Sequence, residues 1–365
     1  MLTPQLFAPR ASHRDADERA DAVTGAYAFS ATLAIQDITG LPTSGVSASH
    51  VRTRLAPSTE SAAYLFALTD AHAPRPVTEL GYPELFEGDL DHVVAWVFVS
   101  LPLLEDRGVI EANITLDAAI APLPGEPIPP QPWQAALTLL DALSSHFGRP
   151  TRHIWVPHAP DEHQPPALQA FGYTAAFRED QATFPLDVYT ALPDVSRFPA
   201  DSFEVVEGPG FNSTRPGIPG EVEQFAHLLT SASKGYPRGD LALDTIEWDL
   251  ARIVEAGQRL GDRGGHQLTG LAYVDGRIVG LCELVRYSAD DTKVCELGLI
   301  YVLPEHREQG LAAGMIRATL TRAHEVWDEL ETVYCSYPAD SAAANALLAT
   351  LGAERVSSTT AWHKC

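Results

Sequence analysis

The dipeptide Asp275-Gly276 constrains this chain more than any other feature, because it sits between two apolar, β-branched runs at 268–274 and 277–286. A two-residue connection of that type demands left-handed backbone at both positions and joins antiparallel strands in a hairpin. A third strand is predicted at 293–302, then a loop at 303–309, a helix from 310 to about 330, a strand at 332–337, a helix at 340–351 and a last strand near 355–364. Ahead of the hairpin, residues 203–206 read as a strand, with helices over 220–231 and 244–259. A hairpin followed by a strand-helix-strand crossover implies an α/β fold with a mixed sheet and helices on both faces.

A comparable order precedes it. Residues 91–101 and 108–120 are expected to be adjacent strands. A proline-rich stretch at 122–132 then leads to an amphipathic helix that places Trp133, Ala136, Leu137, Leu140, Leu143 and Phe147 at helical spacing. A strand at 151–156, a short helix at 166–171 and a strand near 181–186 complete the block. The chain of 365 residues is long for one core, so two tandem domains are expected. Their expected limits are a flexible tail over 1–24, a first domain over 25–192, a linker over 193–202 and a second domain over 203–365.

Charge narrows the partners. A net charge of −23 argues against nucleic acid, which demands a basic face, and suits a cationic acceptor. No stretch has the ~18 consecutive apolar residues of a membrane helix, and the start carries no signal-peptide core, so a cytoplasmic protein is expected. Cys282, Cys295, Cys335 and Cys365 form no CxxC pair, and the first three fall in strand-like runs, so buried reduced thiols are expected. The histidine-rich run of His153, His158, Asp161 and His163 fits no zinc spacing, and no metal is expected.

The strongest local signal is the junction from Val302 to Ala313, between an apolar strand and an amphipathic helix. A helix's first turn leaves up to four N–H groups without intrahelical partners, and with the helix dipole they form an anion site. The small residues Gly310, Ala312 and Ala313 let a diphosphate approach the backbone. Arg307-Glu308-Gln309-Gly310-Leu311-Ala312 resembles the pyrophosphate loop of the GNAT N-acetyltransferases, and the element order of 203–365 resembles that family throughout. Two GNAT-like domains in one chain resemble the tandem, actinobacterial type. The first domain is degenerate, with prolines where the loop should be.

The resemblance implies acetyl-CoA as cosubstrate, held by Arg307, Glu308, Gln309, Gly310, Leu311, Ala312 and Ala313, with Ile300, Tyr301 and Val302 along the pantetheine arm. It implies direct attack by a primary amine of a small molecule or peptide. Glu296, in an otherwise apolar strand eleven residues before Arg307, matches a catalytic glutamate of the fold, and Glu283 on the neighbouring strand is the second candidate base. Leu348 and Ser341 replace the family's usual tyrosine acid and coenzyme-contacting asparagine, which leaves Tyr337 or Tyr334 as candidate acid. Tyr236, Asp244, Glu247 and Glu283 are candidate acceptor contacts. Two alternatives remain: a non-catalytic acyl-CoA sensor or scaffold, and transfer of a longer acyl group or to a hydroxyl.

Overall fold

Asp275 and Gly276 adopt φ of 50° and 74°, the left-handed pair that a type I′ turn needs, and Val274 faces Arg277 across the hairpin. The structure is a computed structural model, and it describes residues 2–8, 14–41, 45–123, 126–160, 165–199, 202–211, 220–287 and 293–365.

The chain forms two compact units, one comprising 1–178, 238–244 and 356–365, the other 179–237 and 245–355. The first contains β1 (Thr3–Phe7), α1 (Arg14–Thr39), α2 (Ala48–Leu55), β2 (Ser61–Thr69), β3 (Val93–Pro102), β4 (Val109–Leu116), α3 (Pro130–Phe147), β5 (Thr151–His158) and α4 (Pro166–Ala170). β6 (Thr174–Pro185) crosses the limit between the units at residues 178 and 179. The second unit contains β7 (Phe203–Glu207), α5 (Glu221–Gly235), α6 (Leu250–Asp262), β8 (Gly265–Val274), β9 (Arg277–Tyr287), β10 (Val294–Val302), α7 (Leu311–Val326), β11 (Thr332–Pro338) and α8 (Ala342–Thr350). β12 (Glu354–Lys364) then returns the chain to the first unit.

The strands of the two units share one plan. In the first unit, β1 to β4 pair antiparallel in sequence order, β5 joins β4 in parallel, and β12 lies antiparallel to β5. In the second, β7 to β10 pair antiparallel, β11 joins β10 in parallel, and residues 179–185 of β6 lie antiparallel to β11. Each unit therefore takes its sixth strand from the far end of the other half's sequence.

In the second unit, α7 lays Leu311, Met315, Ile316, Leu320 and Ala323 on one face of the sheet, where α8 adds Leu348. Each such large aliphatic side chain contributes ~1.5–3 kcal/mol on burial. On the other face, Phe225, Leu228 and Leu229 of α5 and Ile253 of α6 cover Leu271, Ile278 and Leu281.

Two expectations need correction. Within the expected tail over 1–24, residues 3–7 are part of the sheet: β1 pairs with β2, and its Gln5 is fully buried, donating to Asp89 at 3.1 Å and accepting from Thr69 at 2.9 Å. A polar residue in a five-residue strand looks like tail composition unless its partners are visible. The helix expected over 244–259 begins only at Leu250, capped by Asp249, whose side chain accepts from Arg252 N–H at 2.8 Å. Upstream, hydroxyls on α5 hold the backbone off the helix, because Ser233 accepts from Ile246 N–H and Thr230 from Trp248 N–H, each at 2.9 Å.

Candidate active site

β10 and β11 run side by side for only four register pairs, from Val294 with Thr332 to Leu297 with Cys335, and then part. At the same point β10 slips against β9, its register jumping between Leu297 and Ile300, so Gly298 and Leu299 leave the regular ladder. A bulge of this kind turns backbone groups away from sheet pairing and re-aims the strand. The result is a groove between two diverging parallel strands, with the end of β10 along one side.

The loop after β10 leads from that groove to the first turn of α7. Arg307 Nε donates to the carbonyl of Val302 at 3.1 Å, and its guanidinium lies over the Tyr301 ring with the carbon 5.6 Å from the centroid. Arg307 thus folds the loop back on its own strand. Glu308 and Gly310 take left-handed φ of 62° and 80°. No side chain caps α7 at Gly310, so the N–H groups of the first turn keep their full capacity toward an anion. A Cβ on Gly310 would come within 2.5 Å of the Arg197 guanidinium, a cation the sequence reading had placed in a linker. The loop residues therefore fit a diphosphate: uncapped N–H donors, a close backbone approach and a nearby positive charge. Arg322 is paired with Glu207 and Glu325, and Arg317 donates to the carbonyl of Leu192.

Strand alternation sorts the candidate catalytic side chains. Cys282 and Leu284 enter the core under α7, whereas Leu281 packs under α5, so Glu283 points to the α5 face. Cys295 and Leu297 enter the α7 core, which puts Glu296 on the α5 face as well. Val285 faces Glu296 across the ladder, making Glu283 its diagonal neighbour, ~7–8 Å away. Tyr334 pairs in register with Glu296 and shares the face. Tyr337 packs instead at the margin of the α7 and α8 core.

Burial pushes the Glu283 carboxyl up to about 7, although Gln267 donates to it at 3.1 Å and opposes that rise. Glu296 is also raised, first by the crowding of surrounding protein and then by the charge of Glu179. Glu179 accepts from the Tyr236 hydroxyl at 2.8 Å and from Ser336 Oγ at 3.2 Å. Glu179, Glu283 and Glu296 therefore place three carboxylates on one face beside the groove, among hydroxyls and an amide.

Of the remaining candidates, Tyr236 joins this group through Glu179, but Glu247 does not. Glu247 is paired with Lys234 at 2.9 Å and lies with Trp248 in a groove between α5 and α6 that includes none of the three carboxylates. Asp244 belongs to the first unit, where its carboxylate accepts from Asp106 N–H at 2.9 Å. Sequence reasoning missed Glu179, which lies ahead of the presumed linker, and Gln267, whose alternation with Thr269 in an apolar run was its one local signal. Cys282, Cys295 and Cys335 are buried, and desolvation pushes the first two up to about 12 and the third up to about 11, so none offers a thiolate at neutral pH. His153 and His158 are buried in the first unit, while Asp161 and His163 lie outside the described residues.

A bulged strand, a splayed parallel neighbour and an uncapped glycine-started helix occur together within residues 224–353, the span that matches the acetyltransferase (GNAT) family model. Residues 224–353 are similar to the GNAT acetyltransferases. Among solved structures, a tandem GNAT protein from the clavulanic acid biosynthesis pathway matches with a TM-score of 0.66 at 17% identity, over 100% of this chain and 98% of that one. A GCN5-related N-acetyltransferase from Sphaerobacter thermophilus matches with a TM-score of 0.57 at 15% identity, over 100% and 95%. A comparison with curated proteins finds no match. The fold is thus that of a tandem GNAT protein, and the family whose model residues 224–353 match is one of acetyltransferases. No described helix is long and apolar enough to cross a membrane.

Proposed function

We propose that the chain is an acetyl-CoA-dependent N-acetyltransferase in which Glu283 takes the proton from a primary amine of a small molecule or peptide. The observation that carries this reading is the position of Glu283, on the strand against which β10 bulges and with its carboxyl at about 7. An alkylammonium has a pKa near 10.4, so presenting the free amine at pH 7 costs about 4–5 kcal/mol, and a base poised near 7 offsets part of that.

Glu283 replaces Glu296 as the first choice of base because it is diagonal to Glu296 on the side of the bulge, where the backbone leaves the ladder. Glu296 and Glu179 then attract and orient the cationic acceptor, with Tyr236 and Ser336 fixing Glu179. Gly310 to Ala313 and Arg197 hold the coenzyme diphosphate, and the strand end Ile300 to Val302 lies along the pantetheine. Acetyl-CoA supplies the thioester that the amine attacks. The high thiol pKa values of the three buried cysteines favour direct attack over a cysteine-bound acyl group. On the opposite face Leu348 is buried in the core, and Tyr337, at the β11 margin of that core, is the candidate acid.

A screen of primary amines against acetyl-CoA, read by thiol release, tests the proposal. Turnover with at least one amine, lost in Glu283→Gln at unchanged coenzyme affinity, is expected. Coenzyme binding without turnover for any amine class would favour the sensor reading instead.

A further inference from the structure

Cys282, Cys295 and Cys335 are buried in the second unit, whereas Cys365 is exposed in the first, one residue past the end of β12. Its Sγ lies 3.1 Å from Nε2 of His363, two residues back and so on the same face of the strand. Across the ladder His363 is the register partner of His153 on β5, and its Nδ1 lies 3.2 Å from Nε2 of that residue. Two antiparallel strands thus line up imidazole, imidazole and thiol, with the inner ring fully buried and the thiol at the surface. The nearby cations are engaged elsewhere: Arg152 and Lys364, the register pair between, each donate to Asp141 at 3.0 Å.

The direction of the protons along this line follows from its inner end. Burial, and then the charge of His363, push His153 down to about 4, so its ring is neutral at pH 7 and carries one proton. Glu111 is its register neighbour on β4, yet Nδ1 of His153 is buried with no hydrogen-bond partner among the described residues. A proton on that nitrogen would be a buried N–H left unpaired, which is rarer in folded proteins than an unpaired acceptor. The proton therefore sits on Nε2 and is donated to Nδ1 of His363. A neutral His363 that accepts there carries its own proton on Nε2, facing Cys365 Sγ. His363 is thus oriented as a donor to sulfur, and the thiolate is the form of cysteine that acts as a nucleophile.

We propose that Cys365 is a thiol-modification site that forms a mixed disulfide with small disulfides, with His363 and His153 as positioning residues. The Cys365 thiol gives its proton to solvent, Sγ attacks one sulfur of the disulfide, the S–S bond breaks, and the leaving thiolate takes up a proton from solvent. Cys365 is oxidised to the disulfide level while the leaving half is reduced to a thiol, so the small disulfide is the only oxidant. The other three thiols are buried, and an external thiol reverses the adduct. This does not rest on the acetyl-transfer reading of the second unit.

The test uses the full chain and 2,2′-dithiodipyridine, an uncharged disulfide that a net charge of −23 does not repel. Release of pyridine-2-thione is followed by absorbance at pH 7. One fast equivalent is expected, roughly threefold or more above the rate of N-acetylcysteinamide, because thiolate fraction and nucleophilicity offset each other in part. Mass spectrometry should map the adduct to Cys365, dithiothreitol should remove it, and Cys365→Ser should lose the fast phase. His363→Phe removes the N–H and should slow the reaction to the free-thiol rate, while His363→Gln, which keeps a donor, should restore part of the difference. His153→Phe frees the His363 tautomer and should give an intermediate rate. Thermal melts establish that each variant is folded. A parent chain that reacts no faster than the free thiol, or a fast equivalent mapped to another cysteine, would overturn the site. An unchanged rate in a folded His363→Phe or His153→Phe would overturn the positioning role of that histidine.

Discussion

α3 and α7 follow corresponding strands in the two units and begin in opposite ways. α7 starts at Gly310, with small residues and uncapped N–H groups in its first turn. α3 starts from Pro129, with Pro130 and Pro132 in its first turn, so two of its first three helical positions have no N–H to offer. The strands before them differ in the same sense. β10 bulges against β9 between Leu297 and Ile300, whereas β4 keeps continuous register with β3 from Glu111 to Leu116. Both halves thus have the splayed parallel strands, but only the second adds the backbone donors and the bulge. One strand plan is compatible with a diphosphate site or with none, and a few residues at one helix start decide between them.

The largest effect that would break this comparison is expected from Gly310→Trp. The left-handed φ and the nearby Arg197 leave no room for a side chain, so acetyl-CoA affinity should fall at least ~100-fold, as read by calorimetry. Retained affinity would mean that the α7 start is no more a diphosphate site than the α3 start.

Glu283→Gln is next. A general base contributes ~10²–10⁴ in rate, so kcat/KM should fall by about that factor with coenzyme binding intact. In the parent protein kcat/KM should decline as pH drops below about 7, because the base is then protonated, and that limb should vanish in the variant. Stability gives an independent check of sign. Glu283 is raised above its unfolded value, so its ionisation in the folded state opposes folding, and the penalty grows as pH rises from the unfolded carboxylate range through about 7. Glu283→Gln should therefore raise Tm above pH 7 and change it little at pH 4.

Smaller effects sharpen the contrast. Arg197→Ala should weaken coenzyme binding by ~3–10-fold, since an exposed charge beside a diphosphate is screened by solvent. Replacing Pro130 and Pro132 together by alanine restores two N–H groups to α3 but leaves β4 unbulged. No second equivalent of coenzyme should appear in the titration.

The second half was largely legible because its signals are local. The Asp275-Gly276 turn, the apolar strand runs and the glycine-started helix each depend on neighbours in sequence, and 294–302, 311–326 and 332–338 fall where the periodicity places them. The start of the first half was not. α1 buries Thr24, Ala28, Ser30 and Ala31 around Val23 and Tyr27, a stripe of small residues that gives little hydrophobic contrast against its exposed side. The strand exchange was invisible for another reason: residues 179–185 find β11 and residues 358–364 find β5 through contacts that skip more than a hundred residues. The acidic face of the site inherits that difficulty, because Glu179 arrives on the exchanged strand. Glu283 and Glu296 were visible as carboxylates in apolar runs, but only the register between their strands brings them onto one face.

The most direct test is calorimetric titration of the full chain with acetyl-CoA. One equivalent per chain, abolished in Gly310→Trp, is the result this account predicts. Two equivalents, or one that survives Gly310→Trp, would contradict it by placing coenzyme in the half that lacks the loop.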